Sequence, residues 1–338
     1  MPFRDVVGHV RLVPLLSRAV SGATLPPSLL FAGPSGVGKR LTAVAVAQAL
    51  NCTNPSAAGS HLAIDSCGRC PACARIARGI HPDVLIVEPG DTGLIKIDQV
   101  REIVDRAPYR PFEGRRRVVI IDEADALVPA AQHALLKTLE EPPPSSVFLL
   151  VTCRPEVLLA TVRSRCPELR FRPLAAEEIA SVLVARGHSE SEARAVAAIA
   201  DGSLGHALQA SAGELVEARE VAQRVLAQAS ASQDPLRRLE GAKDLLSKTG
   251  ASGDSDRKQL SSHLRAMASL LRDVEVLATR ADERTLANPD VRAELDRLTS
   301  TYRGERGLRA FGAVDRALLA VECNVNVKLV ADWLVLQL

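Results

Sequence analysis

Aromatic side chains are scarce in this sequence. Trp, Tyr and Phe together make 3% of its 338 residues. The core must therefore be built from Ala, Leu and Val, a palette that favours helices. Charge of one sign is lacking too. Lys and Arg number 42 against 40 Asp and Glu, so no global imbalance points to nucleic acid or a membrane surface as partner. Any DNA contact has to come from a local patch or from other subunits. No apolar run approaches the roughly 18 residues of a spanning helix, and no membrane partner is expected. Met1-Pro2-Phe3-Arg4-Asp5 has no basic segment leading into an apolar one, so a signal peptide is not expected either. A cytoplasmic protein with its seven cysteines reduced is the expectation. Repeats and long low-complexity tracts are missing. The length exceeds one ordinary core and implies two or three domains.

What is present centres on Gly33-Pro34-Ser35-Gly36-Val37-Gly38-Lys39-Arg40. An apolar run, Ser28–Ala32, precedes it and an alanine-rich helical stretch, Leu41–Leu50, follows. Strand, glycine loop, lysine and helix is the layout of a phosphate-binding loop. Glycines let backbone N–H groups converge on phosphate oxygens, the helix start adds partial positive charge, and Lys39 reaches the terminal phosphates. The last position departs from the pattern: a Mg²⁺-binding Ser or Thr is replaced by Arg40. Upstream, Val6-Val7-Gly8-His9 and an amphipathic run to Ala19 read as an entry segment and a helix.

Cys52 and then Cys67-Gly68-Arg69-Cys70-Pro71-Ala72-Cys73 follow. Two consecutive CxxC steps bring three thiolates round one point, and Cys52 can supply a fourth. Zn²⁺ takes four thiolates in a tetrahedron; an iron–sulfur cluster would use similar ligands. No Ser, Glu or His is placed to make a catalytic metal site, so closed, structural zinc is expected. Val84–Val87 reads as a strand. Ile97–Ala107 reads as a helix with Asp98 as its N-cap. Arg115-Arg116-Arg117 reads as an arginine cluster at a loop, either a solvated edge or a phosphate contact.

Val118-Val119-Ile120-Ile121 ends in Asp122-Glu123-Ala124-Asp125. A continuous apolar run implies a strand buried on both faces of a parallel sheet, with the acids at its C-terminal end where such sheets bind ligands. In that reading Asp122 would hold Mg²⁺ and Glu123 would orient a water. Ala130–Glu141 reads as a helix stopped by Pro142-Pro143-Pro144, Val147–Thr152 as a strand and Glu168–Phe171 as a closing strand. From Arg172 onward the pattern is helical. Leu174–Arg186, Ser189–Ala200 and Leu204–Ala212 read as short helices, then come longer ones with a polar break at Lys248–Asp254.

Taken in order, Gly33–Arg40, the four cysteines, Ile121–Asp125, Ala134-Leu135-Leu136-Lys137-Thr138-Leu139-Glu140-Glu141-Pro142-Pro143 and Ser164-Arg165-Cys166 resemble the bacterial clamp-loader family of AAA+ proteins, subunits of DNA polymerase III. The motifs cover residues 1 to about 212; the rest is similar only in length and helicity. The resemblance implies an α/β AAA+ core with a parallel sheet over residues 1–171, holding a zinc knuckle at 52–73. A three-helix lid would follow at 172–212 and a helical collar for oligomerisation at 213–338. It also implies a heteropentamer with delta and gamma/tau subunits acting on a sliding clamp and primed DNA. Arg165 would be an arginine finger acting on ATP held by a neighbour. Within that family, Arg40, Gly205 where a second-sensor arginine would fall, and Cys153 after Thr152 depart from the motor, gamma/tau, toward the delta-prime class. Weak or absent ATPase of its own is implied, with ATP or ADP binding left open, Mg²⁺ doubtful, and Asp122 and Glu123 vestigial. The polymerase activity would belong to the holoenzyme. A gamma/tau-like motor, another AAA+ remodeller and a zinc-dependent DNA-binding protein are the alternatives.

Overall fold

The computed structural model describes residues 1–56, 61–90, 92–200, 202–209, 212–232, 234–246, 253–279, 286, 288, 291–322 and 325–338. It divides into two compact units, Met1–Leu174 and Ala175–Leu338.

In the first unit the apolar runs become β1 (Ser28–Ala32), β2 (Val84–Val87), β3 (Arg117–Ile121), β4 (Ser146–Thr152) and β5 (Glu168–Arg170). They form one sheet in the order β2-β3-β4-β1-β5, with every neighbouring pair parallel. The helices are α1 (Leu12–Ser21), α2 (Lys39–Asn51), α3 (Pro71–Ala77), α4 (Ile97–Arg106), α5 (Pro129–Glu140) and α6 (Ala160–Arg163). The central strands are buried along their whole length because successive side chains enter different cores. Leu29, Phe31, Val118, Ile120 and Leu149 pack with Val13 and Leu16 of α1 and Ala43 and Val46 of α2. Leu30, Val119, Ile121, Phe148 and Leu150 turn the other way, to Val100 of α4, Leu135 of α5 and Val162 of α6.

After β1 the chain runs to the far edge of the sheet and works back, so β4 and β1 meet where the direction of winding reverses. Ala32 lies beside Thr152, and Ile121 beside Leu150. The loops after β1, β3 and β4 therefore converge at one C-terminal edge, the usual place for a ligand in an open α/β sheet.

Two buried carboxylates fix the loops around this sheet. Asp83 accepts from the N–H groups of Phe112 (2.7 Å), Glu113 (2.9 Å) and Gly114 (2.8 Å), and from Arg117 Nη2 at 3.3 Å. Asn51 Oδ1 accepts from the N–H groups of Arg115 and Arg116. Gly114 fits there because a Cβ would lie 2.6 Å from Asn51 Oδ1. Asp65 does the same for the N-terminus, accepting from Phe3 N at 2.7 Å and from the Arg4 guanidinium at 3.0 Å.

Some sequence expectations change here. The N-cap of α4 is Lys96, not Asp98. Lys96 N donates to Gln99 Oε1, and Asp98 sits inside the first turn, where its charge still favours the helix start. Arg117 is not part of an exposed arginine edge. It is the buried first residue of β3, and its guanidinium donates to the carbonyls of Arg106, Tyr109 and Arg110.

The second unit is helical: α7 (Ala176–Ala185), α8 (Glu190–Ile199), α9 (Leu204–Gln209), α10 (Ala212–Ala231), α11 (Pro235–Asp244), α12 (Gly253–Ala278), α13 (Arg292–Thr299), α14 (Glu305–Glu322) and α15 (Val327–Gln337). α12 packs against α10, α13 and α14 through residues such as Leu260, Leu264, Leu270 and Val274. Tyr302 is wholly buried; its hydroxyl donates to Leu226 O, and burial pushes its pKa up to about 12. Of the expected polar break, residues 248–252 lie outside the described residues, and α12 begins at Gly253.

Burial alone would raise the pKa of Asp83, but the N–H groups of Glu113, Gly114 and Phe112, followed by Arg117, hold it below the usual carboxylate range. A folded pKa below the unfolded one means stability that is present above the unfolded pKa and lost as pH falls through the folded value. Asp83→Ala removes that contribution and leaves Arg117 buried without its carboxylate. The expected cost is about 3–5 kcal/mol in urea unfolding followed by circular dichroism near neutral pH. The variant's deficit should shrink toward acid pH; a deficit that is constant with pH would contradict the assigned role.

Candidate functional site

The loop after β1 owes its shape to three glycines with positive φ: Gly33 (150°), Gly36 (72°) and Gly38 (100°). At Gly33 a Cβ would lie 2.2 Å from Phe171 O, so no other residue fits without movement. The loop runs into α2, whose first residue is Lys39. Lys39 is buried, and its Nζ donates to Gly33 O (2.7 Å) and Pro34 O (2.6 Å). Backbone N–H groups in this curl and the positive end of a 13-residue helix suit a phosphate. The entry segment seals one side: His9 Nε2 lies 2.8 Å from Val37 O, and its ring meets Phe171 edge-on with centroids 4.7 Å apart.

Asp122 and Glu123 follow β3 at the same edge of the sheet. Arg40 Nη1 lies 3.3 Å from Asp122 Oδ2, and Arg40 Nη2 pairs with Glu88, which follows β2. Burial raises the Asp122 pKa against the pull of Arg40. Burial, then Asp122, Asp125 and Glu88, raise that of Glu123. Glu123 has φ 49°, a left-handed conformation that is costly for a non-glycine residue and frequent at functional sites. The Mg²⁺ that a P-loop site ordinarily takes does not fit these residues. Position 40 has no hydroxyl, and a guanidinium stands on the carboxylate that would bind the metal.

Thr152, at the end of β4, donates from its hydroxyl to Asp125 Oδ1 at 2.7 Å. Asp125 also accepts from Arg154 Nε (3.1 Å) and Nη2 (2.9 Å). Burial opposes ionisation of Asp125, but Thr152 and Arg154 outweigh it and hold its pKa low. Thr152 and Arg154 are thus tied to the turn after β3.

Cys52 caps the C-terminus of α2, Cys70 caps the N-terminus of α3, and Cys73 lies in its first turn. The four Sγ atoms of Cys52, Cys67, Cys70 and Cys73 lie within 4.8 Å of one another, with Cys52 and Cys70 3.9 Å apart. Tetrahedral Zn–S bonds of about 2.3 Å place sulfurs about 3.8 Å apart, so the cage fits zinc. Cys67 N donates to Cys52 Sγ (3.3 Å), Cys70 N to Cys67 Sγ (3.3 Å) and Cys73 N to Cys70 Sγ (3.4 Å). Such bonds favour thiolates and orient them. Burial pushes Cys52 and Cys73 up; Cys70, despite burial, is brought down to about 5 by Thr53 and Cys73. Gln48 of α2 donates to Cys73 O at 2.8 Å, tying the knuckle to the helix. Of the stretch between Cys52 and Cys67, residues 57–60 lie outside the described residues.

Arg165 lies between α6 and β5, off the N-terminal edge of the sheet and so at the end opposite the glycine loop. Its Nη1 donates to Thr161 O (2.8 Å), and its Nη2 pairs with Glu140 at the end of α5. The side chain is 31% exposed. Gly205 is in α9 of the second unit, beside His206, whose pKa is lowered to about 4 by burial and then by Arg265.

Reading the sequence passed over Glu88, Arg154 and His9 as parts of this edge. Glu88 had a usable signal: like Asp122, it is an acid directly after an apolar strand. Arg154 and His9 had none.

Residues 8–175 match the family described as DNA polymerase III, delta subunit. A delta' subunit of DNA polymerase III from Pseudomonas aeruginosa is 42% identical over 138 residues, which is 40% of this chain and 40% of that protein. A gamma/tau subunit from Mycobacterium tuberculosis is 37% identical over 172 residues, 51% of this chain and 29% of that protein. The chain thus spans well under half the length of these relatives. A gamma subunit-related protein from Thermotoga maritima aligns with a TM-score of 0.40 at 18% identity, over 95% of this chain and 96% of that one. The sheet order makes the first unit an α/β fold with a parallel sheet, and the family match covers those same residues.

The cysteine cage yields a direct test. Chain loaded with Co²⁺ should show thiolate-to-cobalt charge transfer and tetrahedral d–d absorption at one ion per chain. Cys52→Ser, Cys67→Ser, Cys70→Ser and Cys73→Ser should each weaken or lose it. An unchanged spectrum in any one of them would remove that cysteine from the set.

Proposed function

We propose that this chain, whose residues 8–175 belong to the DNA polymerase III clamp-loader family, works as a subunit of the delta-prime kind. With delta and gamma/tau subunits in a heteropentamer it would help place the sliding clamp on primed DNA. The observation that carries this reading is the ion pair between Arg40 and Asp122. A motor subunit needs a hydroxyl at residue 40 and an open carboxylate at residue 122 to hold Mg²⁺ on ATP. This chain has neither, and Gly205 in the second unit cannot supply a sensing arginine. Lys39 and the loop Gly33–Gly38 remain able to hold the phosphates of ATP or ADP; Asp122 and Glu123 are remnants of a hydrolytic site.

The chemistry this subunit supplies then falls to Arg165. It stands at the opposite end of the sheet from its own phosphate loop, so a phosphate that it meets belongs to another subunit. Glu140 holds the guanidinium at rest, and docking of a neighbour carrying a γ-phosphate would draw it across. There it would stabilise charge on the transferring phosphoryl group. The four cysteines would hold structural zinc, which folds residues 52–73 as a knuckle on α2. Residues 172–212 serve as the lid and 213–338 as the collar. Support for assembly through the collar comes from exposed apolar residues at helical spacing, Leu308, Phe311 and Leu319 on α14 and Leu329, Trp333 and Leu336 on α15. A replication role and the lack, among the described residues, of a helix long and apolar enough to cross a membrane support a cytoplasmic location. DNA and clamp are met through the complex.

A second reading, a gamma/tau-like motor, is favoured by the survival of Lys39, Asp122 and Glu123. The isolated chain separates the two. We expect no Mg²⁺-dependent ATP turnover; turnover abolished by Lys39→Ala would establish the motor instead. In the reconstituted complex, Arg165→Ala should leave assembly intact by gel filtration. DNA-stimulated ATP turnover and clamp loading should fall at least severalfold, out of a finger effect of roughly 10³–10⁵ at the site served. Unchanged turnover would remove the role of Arg165.

A further inference from the structure

Arg40 is the second residue of α2, one place after the phosphate-loop lysine. Its guanidinium meets two carboxylates that end neighbouring strands of one sheet edge, Asp122 at 3.3 Å and Glu88. The Asp122 side chain is 13% exposed, and Glu123 stands next to it in sequence. Closely set carboxylates at the C-terminal edge of a parallel sheet, beside a phosphate-binding loop, are the hard oxygen set that Mg²⁺ takes. Such an accumulation of negative charge calls for a cation, and here the chain provides one covalently. A guanidinium stays protonated at every physiological pH, offers only donors and spans two acceptors with its planar fork. A metal entering here would have to approach its positive charge.

We propose that Arg40 stands in for the divalent cation. It neutralises Asp122 and Glu88, excludes Mg²⁺ from this edge, and makes any nucleoside di- or triphosphate held by the loop a metal-free ligand. The last clause rests on the reading of Gly33–Lys39 as a nucleotide loop; the first two do not. Phosphate oxygens would then be met by backbone N–H groups of the loop, the start of α2 and Lys39. No ion would bridge the β- and γ-phosphates to neutralise charge in transfer. A nucleotide bound this way is retained rather than cleaved, and it is insensitive to the free Mg²⁺ level.

Mn²⁺ serves as the probe because it takes the same oxygen ligands and competes poorly for thiolates. Electron paramagnetic resonance on the full chain, with its cysteine site loaded with zinc, counts bound Mn²⁺. We expect none at this edge in the wild type, one ion in Arg40→Thr, and loss of that ion in Arg40→Thr combined with Asp122→Asn. Arg40→Gln, which keeps a long side chain without charge, replaces Arg40→Thr if the latter does not fold by circular dichroism. A wild-type Mn²⁺ site that Asp122→Asn removes would overturn the proposal, and so would an uncharged residue 40 that gains no site. A fluorescent ATP analogue adds the second readout. Wild-type affinity should agree within about twofold between buffer with Mg²⁺ and chelator-free buffer without it, whereas Arg40→Thr should bind about tenfold more tightly with Mg²⁺. Wild-type binding that requires Mg²⁺ would overturn the proposal. Failure of the wild type to bind the analogue in either buffer would instead sink the nucleotide-loop reading, and the Mn²⁺ count would still decide the role of Arg40.

Discussion

The burial of α2 against the sheet is the constraint on which the first unit depends. Ala43, Ala45, Ala47 and Ala49 are all buried, so this helix packs closely on every side, with β3 and β4 among its neighbours and Val46 in the same core. In a chain so poor in aromatics the core gains its contacts by close approach rather than by large side chains. Both ends of the buried helix are then put to use. Its N-terminus carries Lys39 and Arg40 at the phosphate loop. Its C-terminal turn carries Gln48, which holds Cys73 O; Asn51, which holds the Arg115–Arg116 backbone; and Cys52, one corner of the cysteine cage. The glycine loop, the cysteine cage and the loop before β3 are therefore positioned by one helix.

The parts legible in the sequence are those whose signal is local. Glycine spacing gave the loop, CxxC spacing gave the cage, and uninterrupted β-branched runs gave the inner strands. What could not be read is what joins residues far apart in the chain. Asp83 reaches Phe112–Gly114 and Arg117, and Asp65 reaches Phe3 and Arg4; neither carboxylate carries a motif of its own. Arg117 looked like one more surface arginine beside Arg115 and Arg116, because sequence order says nothing about a carboxylate more than thirty residues upstream. Asp98 was a good N-cap by residue type, yet the first turn of α4 closed two residues earlier. The candidate site divides the same way. Lys39, Asp122 and the cysteines stood out, whereas the partners that set their behaviour, Glu88 for Arg40 and Glu140 for Arg165, emerged only when the sheet brought them together.

Two arginines lie toward opposite ends of the sheet. Each sits beside a carboxylate, but the settings differ. Arg40, itself half-exposed, pairs with a mostly buried Asp122 and a half-exposed Glu88. Arg165 pairs with a half-exposed Glu140, a contact that solvent and a competing anion can exchange at little cost.

The strand order has a consequence for synthesis. Of these five strands β1 is made first, yet its neighbours in the sheet are β4 and β5, the last two of the five. Ser28–Ala32 must wait for residues 146–152 and 168–170 before either edge is covered. At roughly 5–20 residues per second, that leaves a short apolar strand unpaired on a nascent chain for on the order of ten seconds. Neighbouring helix α2, which follows it directly and is rich in alanine, is the segment best placed to shelter it meanwhile.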